Sequence, residues 1–424
     1  SVKANRLCQL PQRGSLWRLP KTLRGIAKAS PLGRGGSALA LTERAGDPND
    51  RSITMKKKLI ALLAAVAMVF SLAACGSTPD SVGTIGTVDI TSGLYLLAQY
   101  DAYQKAADLA SSEQDATDVK AFLKQTITVD ADSGETATVS DYVNQKTMEN
   151  LETYAAIETR FEELGGQLTA EEEAQADSYA SQLMEQYGDT YKANGIGLNT
   201  VQRFERILIK SSDLLELVYG VDGETPVPDA DLTSHLENNM YELAYYTIPL
   251  YNTSTYASAD DDQITQMLAL TQAAVDQTNA AAAADSSTLL GYFSGVVTSA
   301  LPEVYAVLGS TYSSDSTAPS LELIGDSTVT SAFTAEGSAD TIRGLSIGQA
   351  AAVKYNSYAL MAALRLDPLS LKALDDLRGQ VLNDMKGEEL SEALTAYGAS
   401  LEHNLSSSAM NRMPASKIVN SSTN

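Results

Sequence analysis

Side chains suited to nucleophilic, acid–base or metal chemistry are scarce in this 424-residue chain. It holds two cysteines, Cys8 and Cys75, and two histidines, His235 and His403. A Ser-His-Asp arrangement needs a positioned imidazole, and both histidines sit in polar stretches that read as solvated surface. No phosphate-binding glycine loop, dinucleotide fingerprint or Cys/His metal spacing occurs. The densest carboxylate group, Asp260–Asp262, stands directly before the Ala-rich helical stretch 264–284. Acidic residues there cap the helix and favour its dipole, and no histidine or second acidic cluster completes a metal site. We therefore expect no cofactor, no metal and no catalytic residue. Chemistry of any consequence is left to Cys75.

The segment before Cys75 explains what that chemistry would be. Lys56, Lys57 and Lys58 follow Met55, an apolar run covers 59–70, and Ser71-Leu72-Ala73-Ala74 places small residues before the cysteine. The apolar run falls short of the about 20 residues that a spanning helix needs, so residues 55–75 read as a cleaved signal peptide. Leu72-Ala73-Ala74-Cys75 resembles the bacterial lipobox, in which the cysteine thiol takes a diacylglycerol before cleavage. That resemblance implies a palmitate-type lipid anchor on Cys75 and a body at the outer, extracytoplasmic face of the cytoplasmic membrane. Residues 1–54, rich in Arg and Gly, read as upstream or unstructured extension, with Met55 as the start. Residues 76–80 read as a flexible tether.

Charge and thiol count bound the body. Residues 1–75 hold 13 of the 30 basic and 3 of the 53 acidic side chains, which leaves 17 basic and 50 acidic and a net of −33. Such a surface does not seek nucleic acid or anionic head groups. With Cys75 consumed by lipid, the body has neither disulfide nor thiol nucleophile, so burial must stabilise it.

Helices dominate the elements that would position any site. The run 82–89 is β-type, and Ser92 can cap a helix carrying Leu94, Tyr95, Leu97 and Tyr103. A hairpin tip is expected at 132–135. Met148, Leu151, Tyr154, Ile157 and Phe161 make one helical face that ends at Gly165-Gly166. Thr169-Ala170-Glu171-Glu172 opens a second helix as a capping box, with Tyr179, Leu183, Tyr187 and Tyr191 stacked along one side. A third helix spans about 199–219. Pro226-Val227-Pro228 marks a boundary, followed by a helix over 232–240 and a strand over 245–250. The Ser/Thr/Gly-rich stretch 286–320 allows one or two short helices near 301–308, and 329–333 is a helix or strand. Part of 347–366 alternates as a strand that stops at Asp367-Pro368, a long helix begins near Leu371, and 400–424 is a polar tail with one strand near 401–405.

In order and spacing, residues 81–405 resemble the extracytoplasmic foldases and chaperones of the PrsA/SurA/trigger-factor type, in their Gram-positive lipoprotein form. The resemblance rests on the tethered Val-Gly-Thr-Ile-Gly-Thr-Val-Asp opening and on Leu164-Gly165-Gly166-Gln167-Leu168-Thr169 with Glu171–Glu173. Pro226-Val227-Pro228-Asp229-Ala230-Asp231-Leu232 and Leu366-Asp367-Pro368 complete it. It implies a mainly α fold with a smaller α+β module: a SurA/trigger-factor-like helical chaperone lobe over 76–225, a parvulin-like domain over 226–368, and a C-terminal long helix and tail over 369–424 returning to the lobe. Parvulin-type prolyl isomerases carry paired histidines and an Asp or Cys, whereas 241–368 contains no His and no Cys. The module is thus degenerate, and no active-site residue carries over.

What remains is a surface for gripping. Tyr95, Tyr100, Tyr103, Tyr154, Tyr179, Tyr187 and Tyr191 lie on the N-terminal helices, in a chain with 20 Tyr, 6 Phe and 1 Trp. They either pack in the core or line a groove for extended apolar segments, since tyrosine combines apolar area with a hydroxyl. The expected function is a membrane-tethered chaperone or foldase that binds unfolded, newly exported polypeptides. The alternatives are an active prolyl isomerase and a solute-binding lipoprotein of a transporter, the last opposed by the scarcity of βαβ alternation. Labelled fatty acid fed to expressing cells should attach to the protein and be abolished by Cys75→Ser. Unchanged labelling in that variant would remove the anchor.

Overall fold

The computed structural model describes residues 78–111, 114–131, 133–281, 285–313 and 318–420. Cys8, Cys75, the signal expected over 55–75 and the extension 1–54 lie outside them.

The opening β run, broken by its glycines, is a hairpin. β1 (Ser81–Ile85) and β2 (Val88–Thr91) pair antiparallel, with Ile85 opposite Val88. Gly86 turns the chain in the left-handed region (φ 56°), where only glycine is unstrained. β2 runs straight into α1 (Ser92–Asp108). Its cap is Thr91 rather than Ser92: Leu94 N donates to Thr91 Oγ1 at 3.2 Å, and Ser92 is already buried inside the helix. A short α2 (Val119–Phe122) precedes the expected hairpin of β3 (Thr126–Thr128) and β4 (Thr136–Thr138). α3 (Val139–Glu163) begins well before its apolar stripe, because Thr138 Oγ1 accepts from Asp141 N at 3.1 Å and caps it there. α4 (Ala170–Ala193) starts with the expected capping box: Glu172 N donates to Thr169 Oγ1 at 3.2 Å, and Thr169 N donates to Glu172 Oε2 at 2.7 Å. α5 covers Leu198–Tyr219.

α6 (Asp229–Asn239) follows Pro228 and leads into β5 (Met240–Pro249). α7 (Asp261–Ala280) is capped by Asp260, whose carboxylate accepts from Gln263 N at 2.8 Å. α8 (Ser286–Ala306) is one continuous 21-residue helix where the Ser, Thr and Gly content pointed to short pieces. Leu289, Phe293, Val297, Leu301 and Val304 recur at helical steps and are all buried, and burial of that stripe outweighs weak intrinsic propensity. β6 (Ser320–Gly325), α9 (Asp326–Ala332) and α10 (Ser338–Gly344) follow. The 347–366 run is two strands, β7 (Ala350–Lys354) and β8 (Ala359–Leu366), paired antiparallel with Ala352 opposite Ala362. α11 (Pro368–Leu371), α12 (Leu374–Ser400), β9 (His403–Leu405) and α13 (Ser407–Met410) complete the order.

The described chain divides into two compact units. One runs through Leu214 and resumes at Ser391; the other is Leu215–Leu390, so the division falls inside α5 and α12.

In the first unit β9 pairs with β1, giving the sheet order β2-β1-β9. Gly83 (φ 123°) makes this possible, since a Cβ there would fall 2.1 Å from the Asn404 carbonyl oxygen. The stretch expected as a polar tail is packed rather than free. Met413, Ala415 and Ile418 are buried, Gln99 Nε2 donates to Met413 O at 3.2 Å, and Asn194 exchanges hydrogen bonds with the Val419 backbone at 2.8 and 2.9 Å. Its few apolar residues carry no period, so only contacts distant in sequence order it. Between α1 and α3, Asp101 takes a hydrogen bond from Asn150 at 3.0 Å and pairs with Lys105 at 2.9 Å. Arg203 binds both oxygens of Glu158 at 2.7 and 3.2 Å, joining α5 to α3.

The second unit holds a four-stranded antiparallel sheet of order β6-β5-β8-β7. One face carries Ala244, Tyr246 and Ile248 of β5 and Leu360, Ala362 and Leu364 of β8, packed with the buried stripes of α7 and α8.

Two carboxyl groups on α5 are held in apolar surroundings. Burial raises Glu205 to about 7, and burial with the nearby Glu172 charge raises Asp213 to about 6. A folded-state value above the unfolded one means the folded protein holds the proton more tightly. The cost of burial therefore acts above about pH 7 and fades as pH falls through that value toward 4.5. Glu205→Gln should raise stability by about 2 kcal/mol at pH 8 and by little at pH 5. Denaturant titration at the two pH values measures this, and equal effects at both would contradict it.

Candidate functional site

The structure separates the seven tyrosines of the N-terminal helices into core and surface. Tyr95, Tyr103, Tyr154 and Tyr191 are buried and cannot face a bound segment. Tyr103 donates to Ala116 O at 2.6 Å and lies edge-on to Phe122, ring centroids 5.7 Å apart. Tyr154 is edge-on to Phe204 at 5.6 Å, with its hydroxyl inside the unit. Tyr95 accepts from Gln99 Nε2 at 3.2 Å. Burial raises all four hydroxyls, Tyr103 to about 12.

Tyr100, Tyr179 and Tyr187 are half-buried. Tyr191 packs edge-on against Tyr100 at 6.2 Å and lies 6.3 Å from Tyr187. On α4 the inward row is Ala176, Ala180, Gly188 and Tyr191, not the tyrosine row as a whole. Small residues let the helix backbone approach closely, and Arg206 of α5 fixes the rotation by contacting Glu173 and, at 2.8 Å, Asp177. Tyr179, Leu183 and Tyr187 are thereby left as a half-exposed row among acidic side chains that include Glu185 and Asp189.

A second aromatic cluster packs on the sheet of the Leu215–Leu390 unit, on the face away from α7 and α8, and it is buried: Tyr241, Leu243, Tyr245, Phe333, Tyr355 and Met361 all belong to the core. Alternation along β5 places Tyr241, Leu243, Tyr245 and Thr247 there. Register brings Glu322 and Arg365 opposite Leu243, and Met361 opposite Thr247. Tyr245 donates to Glu322 Oε2 at 3.1 Å. Burial, then the Glu322 charge, holds the Tyr245 hydroxyl well above the ordinary phenol range. The Arg365 guanidinium sits 4.7 Å from the Tyr241 ring centroid, and Phe333 is edge-on to Tyr355 at 5.0 Å. This phenol keeps its proton near neutrality, and its hydrogen bond to Glu322 satisfies a polar pair inside the core. The pair was not legible in the sequence, where the alternation of Leu321-Glu322-Leu323 is the one local signal of β6.

The remaining chemical residues are structural. His235, expected as solvated surface, is instead half-buried: its Nε2 lies 2.9 Å from Asp384 Oδ2 of α12, and its Nδ1 lies 3.3 Å from Asn239 Nδ2. His403 of β9 faces Glu152 at 3.7 Å. Among the described residues no group of three His, Cys, Asp or Glu side chains could hold a metal ion, and no helix is long and apolar enough to cross a membrane.

No family model matches the chain, and no curated protein matches it. Among solved structures, it is similar to the crystal structure of the foldase protein PrsA from Streptococcus pneumoniae str. Canada MDR_19A. That match spans 67% of this chain and 97% of that one, at 10% identity and a TM-score of 0.30. At that score the likeness carries no argument, and the functional reading rests on the chain's own surfaces.

Proposed function

We propose that this chain is an extracytoplasmic chaperone, tethered to the membrane through a lipid on Cys75, that holds unfolded exported polypeptides. The supporting observation is the α4 row of Tyr179, Leu183 and Tyr187, half-exposed where small residues take the inward positions. Burial of such a row against a client contributes about 25 cal/mol per Å² of apolar area, and tyrosine hydroxyls tolerate varied backbone partners. The acidic field around it keeps the body soluble and off anionic lipid. The chain from Gly76 onward should suppress aggregation of a chemically unfolded client, and the triple change Tyr179→Ser, Leu183→Ser, Tyr187→Ser should weaken that suppression about tenfold. Light scattering measures it, and no suppression by the parent at stoichiometric excess would sink the reading.

A further inference from the structure

The loop between β5 and α7 carries aromatic side chains that the α4 reading does not use. It folds back on itself: Asn252 N donates to Ala257 O at 2.8 Å and Ala259 N to Leu250 O at 2.9 Å. Asn252 also fastens it to the end of α8, its Nδ2 donating to Leu308 O at 2.7 Å, while Thr253 N donates to Ser310 Oγ at 3.1 Å. On this hydrogen-bonded base Tyr256 adopts the left-handed region (φ 58°), the one non-glycine to do so among the described residues. A bulky side chain there is strained. Its ring stacks on Tyr251 (6.2 Å, 17° between planes) and is still 67% exposed. Tyr305 and Tyr312 form a second pair with centroids 5.3 Å apart. The Asn252 bond to Leu308 O, beside Tyr251, brings the two pairs to the same end of α8.

Charge identifies what these rings face. Asp260, Asp261, Asp262 and Glu303 are exposed. Gln263 Nε2 donates to Val307 O at 3.2 Å, which sets the first turn of α7 against the end of α8 beside Tyr305. From residue 211 through 342 the sequence has 19 Asp and Glu and no Lys or Arg. Aromatic faces attract cations, more so beside carboxylates, and this stretch supplies no cation of its own. We propose that Tyr251, Tyr256, Tyr305 and Tyr312, with Asp260–Asp262 at the adjoining start of α7, form a docking surface for Lys- or Arg-bearing segments of a partner polypeptide. The ring faces take the side-chain cation and the carboxylates balance its charge. The surface stands on the Leu215–Leu390 unit alone, so it holds or fails independently of aggregation suppression by α4.

Fluorescence anisotropy with the full-length protein and a labelled (Arg-Gly-Ser)3 peptide tests this, alongside peptides carrying citrulline or glutamate in place of arginine. Citrulline keeps the shape and removes the charge. Tyr256→Gly suits the left-handed backbone, so it should melt no lower than the parent while binding the arginine peptide about tenfold more weakly. The pair Asp261→Asn, Asp262→Asn leaves the Asp260 cap in place; it should weaken binding and flatten its salt dependence, and it decides the matter if Tyr256→Gly melts early. Equal binding of the arginine and citrulline peptides overturns the proposal. So does undiminished arginine-peptide binding by the variants, which would mark diffuse attraction to an acidic protein, or Tyr256-dependent capture of a neutral oligosaccharide alone.

Discussion

The described body contains no cysteine, so nothing covalent closes it, and the strand pairing of β1 with β9 takes that part in the first unit. Val82 O accepts from Ser406 N at 2.7 Å, and Gly83 lies against the Asn404 carbonyl where any Cβ would collide. That pairing joins segments far apart in sequence, and the residues after it follow inward. Met413, Ala415 and Ile418 then cover α1, and Val419 meets Asn194 at the end of α4. Closing a long loop by backbone hydrogen bonds must be offset by burial, which explains why a stretch poor in apolar residues places most of those it has inside.

The same economy of small residues shapes the surface of α4. Ala176, Ala180 and Gly188 occupy the close-approach row, and the Arg206 contacts to Glu173 and Asp177 hold that rotation. The larger side chains at Tyr179, Leu183 and Tyr187 are displaced to the rim as a consequence. A helix that turned its tyrosines fully inward would need more space between α4 and its neighbours. The geometry trades core volume for a ready apolar row.

In the second unit the central strand β5 divides two uses of tyrosine. Tyr246 faces α8, where its hydroxyl meets Ser294 at 2.8 Å and its ring lies 5.9 Å from Phe293. Tyr245, one residue earlier, faces the other way and donates to Glu322. Alternation along one strand thus sends two buried tyrosines to opposite faces of the sheet, one bonded to a serine hydroxyl and the other to a carboxylate.

Local signals in the sequence determined much of this protein. The capping box at Thr169, the Asp260 cap, the turn signals at Gly134 and Gly165 and the stripes of α3 and α5 are short-range effects, set by hydrogen bonds and periods within a few residues. The lack of a cysteine after residue 75 likewise follows from composition alone. Tertiary structure alone decided the rest. It joined 286–306 into one helix by burying Leu289 through Val304, split 347–366 into two strands, and recruited 320–325 as the edge strand that brings Glu322 to Tyr245. It also sorted seven tyrosines into four buried and three half-exposed. Those outcomes depend on which face meets a neighbour distant in sequence, and helical or strand period specifies a face without naming the surface that covers it.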